Sequence, residues 1–284
     1  MKVPVPATNS LERSLLVLDL IGKTPGGLRH AEISRQLGLP RSTCSWILKR
    51  LVSQSYLAHD VDTGRYKVGL KVVALAHSAL RELGFRAVAE PVLYRVASET
   101  GLAAGIGVLE GGHVLLVDRV EPPELAGRLL VHNRSRNDRE IGRELPAHST
   151  ALGKVLLANL SRRDLLNYLD EHALTKRTSR TIVSRENLLL DLRRIRQRGY
   201  AIADGEHDTA LRAISAPIFD YVGNVRAAIS LNGTPALAIW RDLRALIAYV
   251  TAAARDISGR DLSLPAARKS PSSSHSGPDT PPDP

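Results

Sequence analysis

The chain has 284 residues and a formal net charge of +10, with 43% hydrophobic but only 4% aromatic residues and one cysteine. That length suits two domains whose cores are built from Leu, Ile, Val and Ala, and a lone Cys44 excludes an internal disulfide framework and fits a reducing cytoplasm. No stretch approaches the roughly 18 uninterrupted apolar residues of a membrane span, and the opening MKVPVPATNS has no apolar h-region, so neither a transmembrane helix nor a signal peptide is expected.

The basic balance therefore points to nucleic acid as the polyanionic partner. Residues 1–70 hold ten Lys/Arg against five Asp/Glu, about half the excess in a quarter of the chain. The competing explanation is a composition that simply prefers Arg.

Residues 1–9 read as a flexible lead-in. Ser10 is placed as the N-cap of a helix over Leu11–Ile21, with Leu11, Leu15, Leu18 and Ile21 as its apolar face. Gly22 and the TPGG run stop it. A second helix spans His30–Leu37 and ends at Gly38. Pro40 sits in the turn, and a third helix runs from Arg41 to about Ser53 with Ile47, Leu48, Leu51 and Val52 inward. Tyr56–Ala58 and Arg65–Val68 read as short strands joined by a turn over Asp60–Gly64. Three helices followed by a hairpin is the order of a winged helix-turn-helix over residues 10–70.

Residues 71–83 continue a linker helix. Leu70, Val73, Leu75, Ala76 and Leu80 give it an apolar face that needs a partner, and a second subunit is the expected one. Over residues 84–260 helix and strand signals alternate. A helix is expected over Phe85–Thr100, with strands at Ala103–Leu109, His113–Val120 and Leu125–Val131. After an Arg/Asn-rich loop at Asn133–Arg143, helices cover Ser149–Asn159, Arg162–Asp170 and a stretch from Ser184 to Arg198. Strands at Tyr200–Ala203, Ala213–Phe219 and Val225–Leu231 precede a last helix over Ala236–Ile257. The class is α+β, an antiparallel sheet flanked by helices. The Pro/Ser-rich end, residues 261–284, reads as a disordered tail.

The segments LERSLLVLDLI, GLRHAEISRQLGLPRSTCSWILKRLVSQSYL and DTGRYKVG, then LPAHSTALGKVLLA, LRRIRQRGYAIADGEHDTALRAISAPIFD and GNVRAAISLNG, carry a resemblance by their order and spacing. The sequence resembles the isocitrate-lyase-regulator (IclR-type) family of bacterial transcriptional regulators from about Ser10 to Ser258. The resemblance implies a winged helix-turn-helix, a dimerising linker helix and a GAF-like effector domain. It also implies homodimers, often paired into tetramers, on palindromic double-stranded operators, and no catalysis.

In such a reader the second helix of the motif enters the major groove with its N-terminal residues at base edges. Arg41, Ser42, Thr43, Ser45, Trp46, Lys49 and Arg50 are its candidates. Arg41 suits guanine or phosphate, and Lys49 and Arg50 suit phosphates. Arg65 and Lys67 on the wing suit backbone or minor-groove contact. Trp46 stands where the family commonly has Arg. Cys44 reads as a small buried hydrophobe rather than a redox switch.

For the small-molecule effector the resemblance places a site at Leu145, Ala151, Leu152, Asp204, Leu211, Ala213, Ser230 and Asn232. Leu145, Leu152 and Leu211 are apolar walls. Ser230 and Asn232 alternate along one strand and so share a face. Ser149–Gly153 opens a helix whose amides suit a carboxylate. Ala213 stands where Cys is common, Asn232 where Ser is common, and Ala203 where an acid is common, so the ligand is expected to differ from that of relatives.

Two rival functions compete with this reading. A hydrolase would need a nucleophile elbow, and no G-x-S-x-G occurs. His148-Ser149 are mere sequence neighbours, and His207 between Glu206 and Asp208 reads as an exposed loop histidine rather than a metal ligand. The GIG at 105–107 lacks a third glycine and opens no helix, so it is no dinucleotide site. No metal or cofactor is expected. A non-specific nucleoid binder is the other rival, and the sensor-sized second domain argues against it.

Overall fold

The computed structural model describes residues 9–82, 84–122 and 141–259. Residues 1–8 of the lead-in, the strand expected at Leu125–Val131, most of the Arg/Asn-rich loop and the tail lie outside them. Two compact units part between Arg81 and Glu82.

The first unit opens with α1 (Ser10–Gly22). Its cap is Asn9, not Ser10: Asn9 Oδ1 accepts the Glu12 amide at 3.0 Å, so Ser10 is already helical. The buried face also differs from expectation. Val17 and Ile21 are buried, whereas Leu11 and Leu15 are 67% and 53% exposed. This helix carries more leucines than one stripe can hold, and packing selects the stripe through Val17.

Next come β1 (Leu28–Arg29), α2 (His30–Leu37) and α3 (Arg41–Ser53). Glu32 reaches back to the Arg29 amide at 2.7 Å and caps α2, which Gly38 ends in the left-handed conformation at φ 65°. The Pro40 carbonyl accepts the Cys44 amide at 2.9 Å and starts α3. Cys44, Ile47 and Leu48 are fully buried, with Leu51 and Val52 half-buried against the same core.

The wing consists of β2 (Leu57–Asp60) and β3 (Arg65–Val68), paired antiparallel with Ala58 opposite Lys67. Its tip is closed by the Thr63 amide donating to Asp60 Oδ1 at 3.1 Å. The two-residue β1 joins β3 as a third strand, giving the order β1-β3-β2. A strand this short has no period to read in sequence. Helix α4 (Leu70–Glu82) follows, with Leu70 86%, Val73 62% and Leu75 51% exposed.

The second unit begins with α5 (Arg86–Thr100), β4 (Ala103–Glu110) and β5 (His113–Val120). After β6 (Glu144–Pro146) and a 3-10 turn over Ala147–Ser149 come α6 (Ala151–Ala158), α7 (Arg162–Glu171) and α8 (Arg185–Arg198). The chain then forms β7 (Ala201–Asp204), β8 (Arg212–Phe219), β9 (Val225–Gly233), a 3-10 turn over Ala238–Arg241 and α9 (Leu243–Ile257). The single last helix expected from Ala236 is thus two pieces, because the Asp242 side chain accepts the Ala245 amide at 2.9 Å and starts α9 afresh.

Six strands form one antiparallel sheet in the order β6-β5-β4-β9-β8-β7. Residues 103–108 of β4 and 227–231 of β9 are buried without alternation, as expected when helices cover both faces. Helices α5 and α9 pack on each other and on the sheet, and α6 packs on both the sheet and α8. The α6 side holds Val114, Leu116, Ala201, Ala203 and Ala228 against Val155, Leu156, Leu188 and Leu192.

The β8–β9 turn is pinned by one carboxylate. Asp220 accepts the Val222 and Asn224 amides at 2.9 and 2.8 Å and Arg226 Nε at 2.7 Å. Burial pushes this carboxyl up, but these donors outweigh it and hold it at about 2 against an ordinary 3.8. A depressed acid stabilises the fold above its unfolded value and loses that stabilisation as pH falls through the folded one. The melting-temperature gap between Asp220→Asn and the unsubstituted protein is therefore expected to close as pH falls from about 3.8 to about 2. A gap constant over that range would remove the ionised turn.

Candidate nucleic-acid interface and ligand pocket

Helix α3 buries one side and presents the other. Arg41, Ser42, Trp46, Lys49 and Arg50 are exposed, with Trp46 51% accessible, and Thr43 and Ser45 are half-buried at the margin of that face. Cys44, Ile47 and Leu48 lock the opposite side to the core, so the polar face is rigidly backed. The Arg50 guanidinium carbon lies 5.7 Å from the Trp46 ring centroid, a cation–π arrangement that holds both side chains on one surface. His30 Nε2 lies 3.1 Å from the Arg41 carbonyl and ties α2 to the start of α3.

The wing cations are differently placed. Arg65 donates to the Gly27 carbonyl at 2.7 Å and lies 4.0 Å from Glu32, so it ties the wing to the turn before β1. Lys67 pairs with Asp60 at 3.1 Å across the hairpin. That pair is solvent-exposed and therefore weak.

In the second unit a pocket of about 700 Å³, its mouth included, opens between the sheet and the start of α6. Seven of the eight expected residues line it: Leu145, Ala151, Leu152, Leu211, Ala213, Ser230 and Asn232. Asp204 does not. On β7 the alternation turns Ala203 into the pocket, while Asp204 faces away and accepts Arg212 Nη2 at 2.6 Å, with Arg180 3.4 Å off. The Arg212 hydrogen bond holds the Asp204 carboxyl below its ordinary range.

The floor follows from the ladder. Ala203 pairs with Ala213, which pairs with Asn232, and two residues along Ser215 pairs with Ser230. Directly paired residues of an antiparallel ladder share a face, so this row of small and polar side chains forms one surface.

The roof is the start of α6. The helix expected from Ser149 starts at Ala151, capped by Thr150, whose Oγ1 accepts the Gly153 amide at 3.2 Å. The amides of Ala151 and Leu152 belong to the first turn, where a helix has no internal acceptor for them. Gly153 is required because a Cβ there would lie 2.2 Å from the Ala147 carbonyl oxygen.

Sequence reasoning missed the third wall, a loop at residues 205–208. Lys154, 2% exposed, donates to Glu206 at 2.7 Å and to Asp191 at 2.9 Å. Burial pushes the Glu206 carboxyl up against the opposing pull of Lys154. Thr178 and Thr181 donate to the Gly205 and Glu206 carbonyls, each at 2.7 Å. His207 is thereby held half-buried in the pocket wall with Nδ1 3.4 Å from Ser149 Oγ, so it is not the exposed loop histidine expected. Leu116, Arg119, Glu206 and Asp208 line the pocket as well. Alternation along β5 would set Leu116 and Arg119 on opposite faces; a β-bulge at Val117, where Ile106 pairs with Asp118 but Gly107 with Leu116, brings both to the pocket, and a bulge leaves no period to read in sequence.

Among the described residues no group of three or more His, Cys, Asp and Glu side chains is placed to hold a metal ion. His148 Nε2 lies 3.0 Å from the Thr175 carbonyl, and burial pushes its pKa down. No described helix is long and apolar enough to cross a membrane.

The family model for the bacterial transcriptional regulator IclR C-terminal domain matches residues 77–259, and that for the IclR helix-turn-helix domain matches residues 10–61. The chain is 32% identical over 228 residues to the HTH-type transcriptional regulator XynR of Escherichia coli, covering 80% of this chain and 87% of the relative. It is 31% identical over 233 residues to the transcriptional repressor IclR of the same organism, covering 80% and 82%. A solved IclR homolog from Microbacterium hydrocarbonoxydans, complexed with 4-hydroxybenzoate, superposes with a TM-score of 0.73 at 25% identity, covering 88% of this chain and 98% of that one. The chain belongs to the IclR family of bacterial transcriptional regulators, with a DNA-binding helix-turn-helix and a C-terminal effector domain.

Proposed function

We propose that α3 reads a palindromic operator through Arg41, Ser42, Thr43, Ser45, Trp46, Lys49 and Arg50, and that a small carboxylate bound in the pocket modulates this binding. The observation that carries the reading is the exposed, cation-bearing face of α3 set on a fully buried Cys44–Ile47–Leu48 side. Lys67 contacts phosphate once its exposed partner Asp60 is displaced, and Arg65 keeps the wing in place. The exposed Leu70, Val73 and Leu75 of α4 support a homodimer, as a two-fold operator requires.

The carboxylate sits on the Ala151 and Leu152 amides, at the positive end of the α6 dipole. That a homolog is complexed with 4-hydroxybenzoate supports the ligand class. The effector acts only by binding the two dimer geometries unequally. The protein works in the cytoplasm as a regulator rather than an enzyme, and among the described residues Ser149 is a poor nucleophile candidate: it is fully buried, and its contact with His207 is long at 3.4 Å.

Gel-shift titration against the intergenic DNA upstream of its own gene and against random DNA, at one fixed salt concentration, tests the reading. The upstream DNA is expected to bind at least about a thousandfold more tightly. Equal affinity for the two would leave a non-specific binder.

A further inference from the structure

Helices α7 and α8 both pack on the core around α6, yet they leave a trough of about 900 Å³, its mouth included, between them. It shares no lining residue with the ligand pocket. Its apolar surface is made by leucines: Leu192 is buried, Leu160, Leu165 and Leu189 are half-buried, and Leu166 is 37% exposed. Its charged residues are Arg162, Arg193 and Arg196, all exposed, and among the described residues no acidic side chain lines it.

Local sequence explains the placement. On α8 the core takes Leu188, Leu192 and Ile195, which turns the stripe of Leu189, Arg193 and Arg196 towards the trough. On α7 Ser161 Oγ accepts the Asp164 amide at 3.1 Å, so Arg162 lies in the first turn and Leu165 and Leu166 follow one turn on. Both placements are locally unfavourable. Arg162 is a cation at the positive end of its helix, and Arg193 and Arg196 are like charges on one face. Among the described residues none of the three makes a hydrogen bond or an ion pair.

We infer that this trough docks an acidic amphipathic helix of a partner protein, with its apolar stripe on the leucines and its carboxylates against the three arginines. A nucleic acid would use the cations and leave the leucines in water. An uncharged apolar helix would use the leucines and leave the cations uncompensated. Only a ligand that is acidic and apolar on opposite faces satisfies both sets of residues.

Fluorescence anisotropy of the full-length protein tests the inference with a labelled model helix of about 15 residues, Leu on one face and Glu on the other. This probe is expected to bind saturably. Versions with Lys for every Glu, or Ser for every Leu, are expected to bind about tenfold or more weakly. Arg193→Glu combined with Arg196→Glu is expected to weaken the Glu probe by a similar factor and to strengthen the Lys probe. Leu166→Ser is expected to weaken the Glu probe too. All three positions are exposed, so melting temperatures are expected to hold. Reversing two exposed arginines of α9 instead, Arg244→Glu with Arg255→Glu, controls for net charge and is expected to leave probe binding unchanged. No saturable binding, equal binding of the three probes, or binding that survives in the trough variants would overturn the inference. Displacement of the probe by excess duplex DNA would overturn it as well, by placing the peptide on α3. A changed subunit number of the trough variants in sedimentation would make the trough a contact between copies of this chain instead.

Discussion

Replacing Lys154 by Met is expected to lower the unfolding free energy by about 3–5 kcal/mol, because it strips the cation from a buried ion pair and leaves Glu206 charged and uncompensated. Lys154 is 2% exposed and holds Glu206 at 2.7 Å and Asp191 at 2.9 Å. Asp191 is more accessible and can turn to water, so the cost falls on Glu206. Burial already raises the Glu206 pKa, and losing Lys154 removes the cation that opposes it. Because a raised carboxyl pKa favours the fold at low pH, the deficit of the variant is expected to shrink as pH falls towards the ordinary 4.5. Adding Glu206→Gln to Lys154→Met is expected to recover much of the loss. Urea denaturation of the four members of this cycle measures it, and a single-variant loss under about 1 kcal/mol would mean that the pair is effectively solvated. The same ion pair holds the loop at 205–208, so effector binding is expected to weaken with stability.

Arg41→Ala is expected to weaken operator binding by about 1–3 kcal/mol, or roughly 5–150-fold, if the side chain makes a bidentate base contact. It opens α3, is exposed, and is not needed for the core beneath it, so the loss should come without a change in melting temperature. A base contact would relax sequence preference at one position. A phosphate contact would weaken all sequences alike and lower the salt slope by about one. Unchanged affinity, specificity and salt dependence would remove Arg41 from the reader.

Local chemistry made the first unit readable. Pro40 starts α3, Gly38 ends α2, and Asp60–Gly64 closes the wing, each through hydrogen bonds within a few residues. Reading failed where local signals were degenerate. Asn9 and Ser10 are both good caps, and α1 has apolar residues on two faces, so only the core could choose Asn9 and Val17. The two residues of β1 are held by β3 rather than by any pattern of their own.

The ligand pocket divides in the same way. Leu145, Ala151, Leu152, Leu211, Ala213, Ser230 and Asn232 were placed by family resemblance and meet in one cavity. Asp204 lies outside that cavity because one step along a strand reverses the face, and the register of β7 against β8 turns Ala203 inward instead. Arg119, Glu206 and His207 were out of reach for a different reason. Arg119 reaches Asn232 from two strands away, across β4, and the loop holding Glu206 and His207 depends on a lysine 52 residues before its partner.

By itself, then, the sequence determined the order of the longer elements and the polar face of α3, but not the short β1 and β6. Those follow from capping, turn chemistry and periodicity, which act within a few residues. Only the tertiary structure decided which charged groups enter the pocket. Cross-strand register and the burial of Lys154 set that, and both are fixed by contacts between segments far apart in the chain.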